Sequence, residues 1–217
     1  MKVGTDAVLL GAWVNLSQTD YMLDVGTGTG VIALICAQRN NTVIIEAIEI
    51  DEGSAEDARY NFEHSPWRDR LKMHEGDFLK IVSGEKFDLI ISNPPYFTSS
   101  LRASNPSRNA ARHDDSLPAE SFLPIVLKLL RPEGRLALIL PNSELERWVN
   151  EASRNKLFPI RICHVFTLAH KDPARVMIEF SPGFTGEPRM ESLLIEKSPG
   201  EITEAYKQLI KDFYLKW

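Results

Sequence analysis

Tyr21-Met22-Leu23-Asp24-Val25-Gly26-Thr27-Gly28-Thr29-Gly30-Val31 decides how this chain is read. An apolar strand runs into glycines at every second position, and an apolar helix, Val31-Ile32-Ala33-Leu34-Ile35, follows. Glycine lets the backbone turn sharply and approach a bound molecule closely. The helix start presents unpaired N–H groups to whatever lies in the turn. The dinucleotide fingerprint asks for G-x-G-x-x-G, whereas this loop runs G-x-G-x-G and places Val31 where the last glycine would stand. Asp24 precedes the loop, and a carboxylate there repels phosphate but suits a cation such as an α-ammonium group. The stretch favours S-adenosylmethionine over NAD or ATP; the bland alternative is a plain strand-to-helix turn.

Working outward, Thr42 to Asp51 reads as the second strand, rich in β-branched residues. Glu49 near its carboxyl end, 25 positions after Asp24, is placed to accept from ribose hydroxyls, and Ile50 offers an apolar wall to an adenine. Ser54 to Phe62 is the next helix and Leu71 to His74 a short third strand. Asp77 follows that strand, placed to accept from an adenine amino group, with Phe78 beside the ring; a simple Gly-Asp turn is the alternative.

The most specific motif comes after the strand Phe87 to Ile91: Asn93-Pro94-Pro95-Tyr96-Phe97. Two prolines stiffen the backbone and remove two N–H donors, which leaves carbonyls to accept from a substrate amine. Asn93 adds a side-chain carbonyl, and Tyr96 and Phe97 add flat faces for a planar base. Residues 98 to 117 form a polar loop carrying Arg102, Arg108, Arg112 and His113, suited to gripping phosphates near that base or simply solvated.

Upstream, Thr5 to Trp13 reads as a helix capped by Thr5 or Asp6, with Val8, Leu9, Ala12 and Trp13 on one face. So organised an element so near Met1 suggests a segment preceding it. Downstream come a helix Phe122 to Leu130 with Pro118 in its first turn, a turn Arg131-Pro132-Glu133-Gly134, and a strand Arg135 to Pro141. A helix capped by Asn142 or Ser143 then runs to about Arg154. Strands 160–166 and 175–180, a further strand within 190–196, and a closing helix 203–214 complete the pattern.

At 217 residues this is one domain with a sizeable core, residues 1–16 forming its N-terminal helix. The net charge of −5 excludes a broadly basic coat, so any RNA contact must be local. Cys36 and Cys163 lack metal spacing, and His164 and His170 have no second ligand pair, so no metal site is expected. No apolar run reaches transmembrane length, and nothing resembles a signal peptide, which points to a cytoplasmic protein.

Taken together these residues resemble class I S-adenosylmethionine-dependent methyltransferases across nearly the whole chain. Asn93-Pro94-Pro95-Tyr96 resembles the subset that methylates planar nitrogens, which includes adenine N6 enzymes and glutamine N5 enzymes. Lys2-Val3-Gly4-Thr5-Asp6-Ala7-Val8-Leu9-Leu10-Gly11-Ala12-Trp13, Asn93 to Phe97, and Asp212-Phe213-Tyr214-Leu215-Lys216 are most similar to the bacterial tRNA1(Val) adenine N6-methyltransferases. The resemblance implies an α/β fold: a doubly wound, Rossmann-like sheet of seven strands, mostly parallel, with an antiparallel strand near the C-terminus. It implies S-adenosyl-L-methionine held by Thr5, Asp24, Gly26, Gly28, Glu49, Ile50, Asp77 and Phe78. Asn93, Pro94 and Tyr96 would be catalytic, and Pro95, Phe97, Arg112 and His113 would bind substrate. The implied partner is tRNA, through its anticodon stem-loop, met by a monomer. A protein glutamine N5-methyltransferase and a non-catalytic nucleoside or RNA binder are the competing readings.

Overall fold

The computed structural model describes residues 4–81, 84–95 and 117–214. β1 (Tyr21–Val25) pairs in parallel with β2 (Ile44–Glu49) on one side and with β4 (Phe87–Ser92) on the other. β3 (Leu71–Glu75) flanks β2 and β5 (Leu130–Pro141) flanks β4, again in parallel. The chain therefore reverses its direction of winding between β1 and β4. Open α/β sheets bind ligands at such a point, beyond the carboxyl ends of the strands.

Past β5 the pattern changes. β7 (Arg175–Pro182) lies antiparallel between β5 and β6 (Leu157–Leu168). β8 (Arg189–Ser198) joins β6 in parallel, and the two-residue β9 (Glu201–Ile202) pairs antiparallel with β8. Among the described residues the sheet has nine strands in the order β3-β2-β1-β4-β5-β7-β6-β8-β9, where the family pattern implies seven. β8 carries the 190–196 signal; β9 is too short to have a sequence period of its own.

Helices α1 (Thr5–Trp13), α2 (Val31–Arg39), α3 (Glu52–Glu63) and α6 (Glu204–Ile210) contribute to the core on one face. On the other lie α4 (Ala119–Leu129) and α5 (Leu145–Arg154). Alternation divides the strands between the two: Met22, Ile45, Leu89 and Ile139 face the first layer, and Leu23, Ile90, Leu138 and Leu140 the second. A sheet covered on both sides needs apolar residues at successive positions, which is why β1, β4 and β5 read as continuous hydrophobic runs.

Five local expectations are corrected. α1 is buried at every position from Val8 to Trp13 rather than on one face, because α2, β5 and α6 surround it. Gly4 stands at its N-cap without a side-chain cap, and Asp6 instead pairs with Arg175. Pro118 stands at the N-cap of α4, outside the first turn, and residues 131–134 belong to β5 rather than to a turn. There the pairing jumps from Phe87–Leu130 to Leu89–Arg135, so β5 bulges, and a Cβ on Gly134 would lie 2.9 Å from the Phe87 carbonyl oxygen. Asn142 does not cap α5; residues Asn142–Glu144 form a short 3-10 turn, and Asn142 Oδ1 lies 2.8 Å from His164 Nδ1.

Candidate active site

The glycine loop begins where β1 ends. Gly26 and Thr27 both donate their N–H groups to the Ile48 carbonyl, at 2.9 and 3.2 Å, and so swing the chain across the end of β2. Gly26, Gly28 and Gly30 take φ values of +68°, +58° and +86°, a region costly for residues with a Cβ. Two of them differ in what surrounds them. A Cβ on Gly26 would meet nothing within 4 Å, so its side opens onto free space. A Cβ on Gly30 would stand 2.5 Å from Phe62 Cε1, so Gly30 is required for α3 to pack against α2.

Asp24 lies beneath this loop and is fully buried. Its Oδ2 accepts from the Thr27 hydroxyl at 2.6 Å, while Oδ1 has no hydrogen-bond partner among the described residues. Burial pushes its pKa up from 3.8 to about 7; the Thr27 hydroxyl and the Ala33 N–H pull it down, and the Glu49 carboxylate adds a smaller upward push. A buried carboxylate oxygen without a partner is costly, and a cationic group brought to it relieves that cost.

Glu49 has a structural duty. Its Oε2 accepts from Gly28 N–H at 2.8 Å, and its Oε1 accepts from Ile50 and Asp51 N–H at 2.9 and 3.0 Å. It thereby ties the glycine loop to β2. A carboxylate has about four acceptor positions, so one remains on Oε2 after these three bonds. Ile50, 59 % exposed, presents an apolar surface beside it. The Gly76 N–H donates to the Glu49 carbonyl at 2.8 Å, which brings the end of β3 alongside. Asp77 then caps a 3-10 turn, Phe78–Lys80, by accepting from Leu79 N–H at 2.9 Å, and its carboxylate lies 3.3 Å from Lys80 Nζ. Phe78 is a correction: its ring is 4 % exposed, packed in the core 5.2 Å from Phe122, and offers no open face to an adenine.

The other wall comes from β4. Ser92 is paired with Val25, and its buried hydroxyl donates to the Val25 carbonyl at 2.8 Å. Asn93 and Gly26, the next residues, leave the sheet side by side, on strands spaced by about 4.8 Å. Asn93 is half-buried, Pro94 buried and Pro95 exposed. Thr5 is exposed in the first turn of α1. Tyr96, Phe97, Arg112 and His113 lie outside the described residues. The site thus gathers Asp24, Gly26, Gly28, Glu49, Ile50 and Asp77 on one side and Asn93 with the two prolines on the other. Sequence reasoning passed over Thr27 and Ser92, whose hydroxyls hold the carboxylate and clasp the two strand ends. Thr27 carried a signal in its place between two glycines; Ser92 carried none, because its role depends on register.

A cleft of about 750 Å³ lies far from this edge, at the amino ends of the strands, lined in part by Asp88, Arg131, Arg135, Glu179 and Arg189. Its charges answer one another, with Arg131–Asp88 at 2.7 Å and Arg135–Glu179 at 3.5 Å. His164 lies in β6 against Asn142, and His170 is exposed between β6 and β7.

Comparison with known proteins agrees with this layout. Residues 3–146 match the methyltransferase small domain family. A protein of Parabacteroides distasonis is 41% identical over 218 residues, covering 100% of this chain and 92% of its own length. One of Bacteroides thetaiotaomicron is 42% identical over 217 residues, covering 99% and 91%. Both are named tRNA1(Val) (adenine(37)-N6)-methyltransferase. Among solved structures, a predicted O-methyltransferase from Agrobacterium tumefaciens superposes with a TM-score of 0.76 at 19% identity, over 95% of this chain and 96% of its own. A glycopeptide N-methyltransferase complexed with S-adenosyl-L-homocysteine gives 0.60 at 14% identity, over 83% and 90%. At such identities the likeness establishes the fold: a Rossmann-like methyltransferase sheet.

Proposed function

The chain belongs to the family of tRNA1(Val) (adenine(37)-N6)-methyltransferases, and from that premise we propose that it methylates N6 of adenine 37 in tRNA1(Val), using S-adenosyl-L-methionine. The observation that carries the reading is the meeting of two strand ends: the Asn93-Pro94 corner stands beside a glycine loop whose buried Asp24 keeps an unpartnered Oδ1.

The residues present fit the cofactor. Asp24 Oδ1 is an acceptor for an α-ammonium group, and open space beside Gly26 leaves room for a chain to cross the loop. The remaining acceptor position of Glu49 suits a ribose hydroxyl, Ile50 an apolar ring face, and Asp77 an adenine amino group. Thr5, exposed at the front of α1, is the further residue assigned to the cofactor. Bound there, the cofactor supplies a methyl group on a sulfonium, whose leaving group is a neutral thioether. That chemistry needs no strong base at the outset.

This chain's own residues orient and polarise the substrate. The N6 lone pair of adenine is delocalised into the ring, so the amine is a poor nucleophile. Asn93 Oδ1 and the Pro94 carbonyl each accept one N6–H, which pulls the nitrogen toward a tetrahedral shape and stabilises the positive charge that develops on it. Once the N–C bond has formed, one N6 proton is released to solvent. Tyr96 and Phe97 stack the extruded base, returning about 1–3 kcal/mol against unstacking, a cost smallest in a single-stranded loop. Pro95 removes a further N–H donor from this corner, and Arg112 and His113 grip the neighbouring phosphates of the anticodon stem-loop. The enzyme works as a monomer in the cytoplasm.

The test is Asn93→Ala. Binding of S-adenosylmethionine, measured by calorimetry, is expected to stay near normal while turnover on tRNA1(Val) transcript falls about 100-fold or more. Equal loss of both would overturn the assignment. Labelled cofactor offered with total tRNA and with total protein should mark tRNA alone, at adenine 37; label on a protein glutamine would favour N5 chemistry.

A further inference from the structure

α1 covers the sheet face that carries Met22, and its two ends are held in different ways. α1 is held firmly at its back and middle. Trp13 Nε1 donates to Glu191 Oε2 at 2.9 Å, and the Arg161 guanidinium lies 4.0 Å over the Trp13 ring while donating to the Trp13 carbonyl at 3.3 Å. Gly11 sits so close to α2 that a Cβ on it would stand 3.1 Å from Ile35 Cγ2. At the front turn Ala7 and Val8 pack into the core, but among the described residues no side chain caps the helix. Gly4 stands at the N-cap with no side chain to satisfy the first N–H groups, and Thr5 is exposed. What reaches the front turn is Arg175, whose Nε donates to Asp6 Oδ2 at 2.8 Å.

The position of Arg175 gives that contact its meaning. Arg175 opens β7, in register with Pro141 at the carboxyl end of β5 and with Val165 of β6. Pro141 lies three residues beyond Leu138, the partner of Ser92, so Arg175 stands at the edge where Asn93 leaves the sheet. α1 also covers the face of the sheet that carries Met22, the face to which Asp24 belongs by alternation. The Asp6–Arg175 pair therefore joins the front of α1 to the ligand-binding edge, on the layer that holds the unpartnered carboxylate oxygen. Asp6 is also well placed electrostatically, since an acid in the first turn opposes the helix dipole.

We propose that Arg175 is a positioning residue: through Asp6 it latches the first turn of α1 over the methionine end of the cofactor cleft. This rests on the cofactor reading above. Without the latch, the front turn frays while the rest of α1 stays docked, so the cleft loses its wall without losing its floor. Arg175 touches neither cofactor nor base in this scheme, and its removal acts on cofactor capture rather than on the methyl transfer.

The experiment compares wild type, Arg175→Ala, Asp6→Asn and the double variant Asp6→Asn with Arg175→Ala, by steady-state kinetics and by backbone hydrogen exchange without ligand. Each single variant should raise KM for S-adenosylmethionine about 3- to 5-fold, with kcat within about twofold, the scale of a partly exposed ion pair at a helix start. The double variant should raise KM no more than the larger single variant, because all three lose the same contact. Exchange should quicken at residues 5–8 and not in α2. An unchanged KM with unchanged exchange would overturn the latch, as would a parallel fall in kcat and global stability, or a double variant whose KM rises by the product of the two single effects. Failure of wild type to bind S-adenosylmethionine in calorimetry would overturn the cofactor reading as well; exchange at residues 5–8 still reports on the ion pair in that case.

Discussion

Replacing Asp24 by Asn should make the ligand-free protein more stable and the cofactor bind worse. Asp24 is fully buried, Oδ1 has no hydrogen-bond partner among the described residues, and burial raises its pKa from 3.8 to about 7. The displacement between the folded and unfolded values corresponds to about 4 kcal/mol. Its sign follows from which state holds the proton. The folded pKa is the higher one, so between about pH 4 and pH 7 the folded protein keeps a proton that the unfolded chain has released. Above pH 7 both states are ionised, and the folded form bears the whole cost of a buried charge. Below pH 4 both are protonated and the cost vanishes. Asn keeps the shape and an acceptor for the Thr27 hydroxyl but carries no charge. Denaturant unfolding at pH 8 should therefore show Asp24→Asn more stable than wild type by about 2–4 kcal/mol, the upper figure being a ceiling, since the amide N–H groups also need partners. That advantage should shrink steadily as pH falls from 7 to 4. Calorimetry at pH 8 should show S-adenosylmethionine binding weakened about 10- to 100-fold, the scale of a lost hydrogen bond to a charged group. The reasoning is refuted if the variant is less stable than wild type at pH 8, if the difference does not vary with pH, or if the cofactor binds undiminished.

The same carboxylate should make wild-type affinity for S-adenosylmethionine fall as pH drops below about 7, because protonation removes the ammonium's partner; a flat calorimetric profile from pH 8 to pH 6 would contradict this. Thr27→Val removes the 2.6 Å bond that lowers the Asp24 pKa, so the midpoint of that profile should move to higher pH. Gly30→Ala combines a φ of +86° with a Cβ 2.5 Å from Phe62 and should cost about 3 kcal/mol or more in thermal or chemical unfolding. Gly26→Ala, at φ +68° with open space around it, should cost only about 1–2 kcal/mol, its damage showing in cofactor affinity instead. Arg161→Ala removes the cation over Trp13 and one of the two arginines facing Glu179, which is 2 % exposed, and should lower stability by about 3 kcal/mol in denaturant titration.

Much of the site could be read from one line of residues because its parts are local. A glycine loop between a strand and a helix, an acid before it, an acid at the end of the next strand and a proline pair after a fourth are patterns of neighbours, and backbone chemistry makes neighbours legible. The errors fall where a residue's role depends on a distant partner. Phe78 follows a plausible turn acid, yet its ring belongs to a core layer set by Phe122. Asn142 has the chemistry of a cap, but His164 engages it. Asp6 has it too, and Arg175 takes it, 169 positions away. The bulge at residues 131–134 looked like a turn because Pro132 and Gly134 punctuate it; strand pairing with β4 overrides them.

By itself, then, the order of residues determined the alternation of strands and helices, the glycine turn with its acid, and the presence of acceptors at Asn93-Pro94, since each follows from spacing along a few bonds. Only the tertiary structure decided that Val25 and Ser92 lie in register, that Asp24 is sealed from water with one oxygen unanswered, and that the chain's first helix is tied to its seventh strand. Register, burial and long-range pairing are properties of the packed whole, because each depends on which surfaces exclude water together.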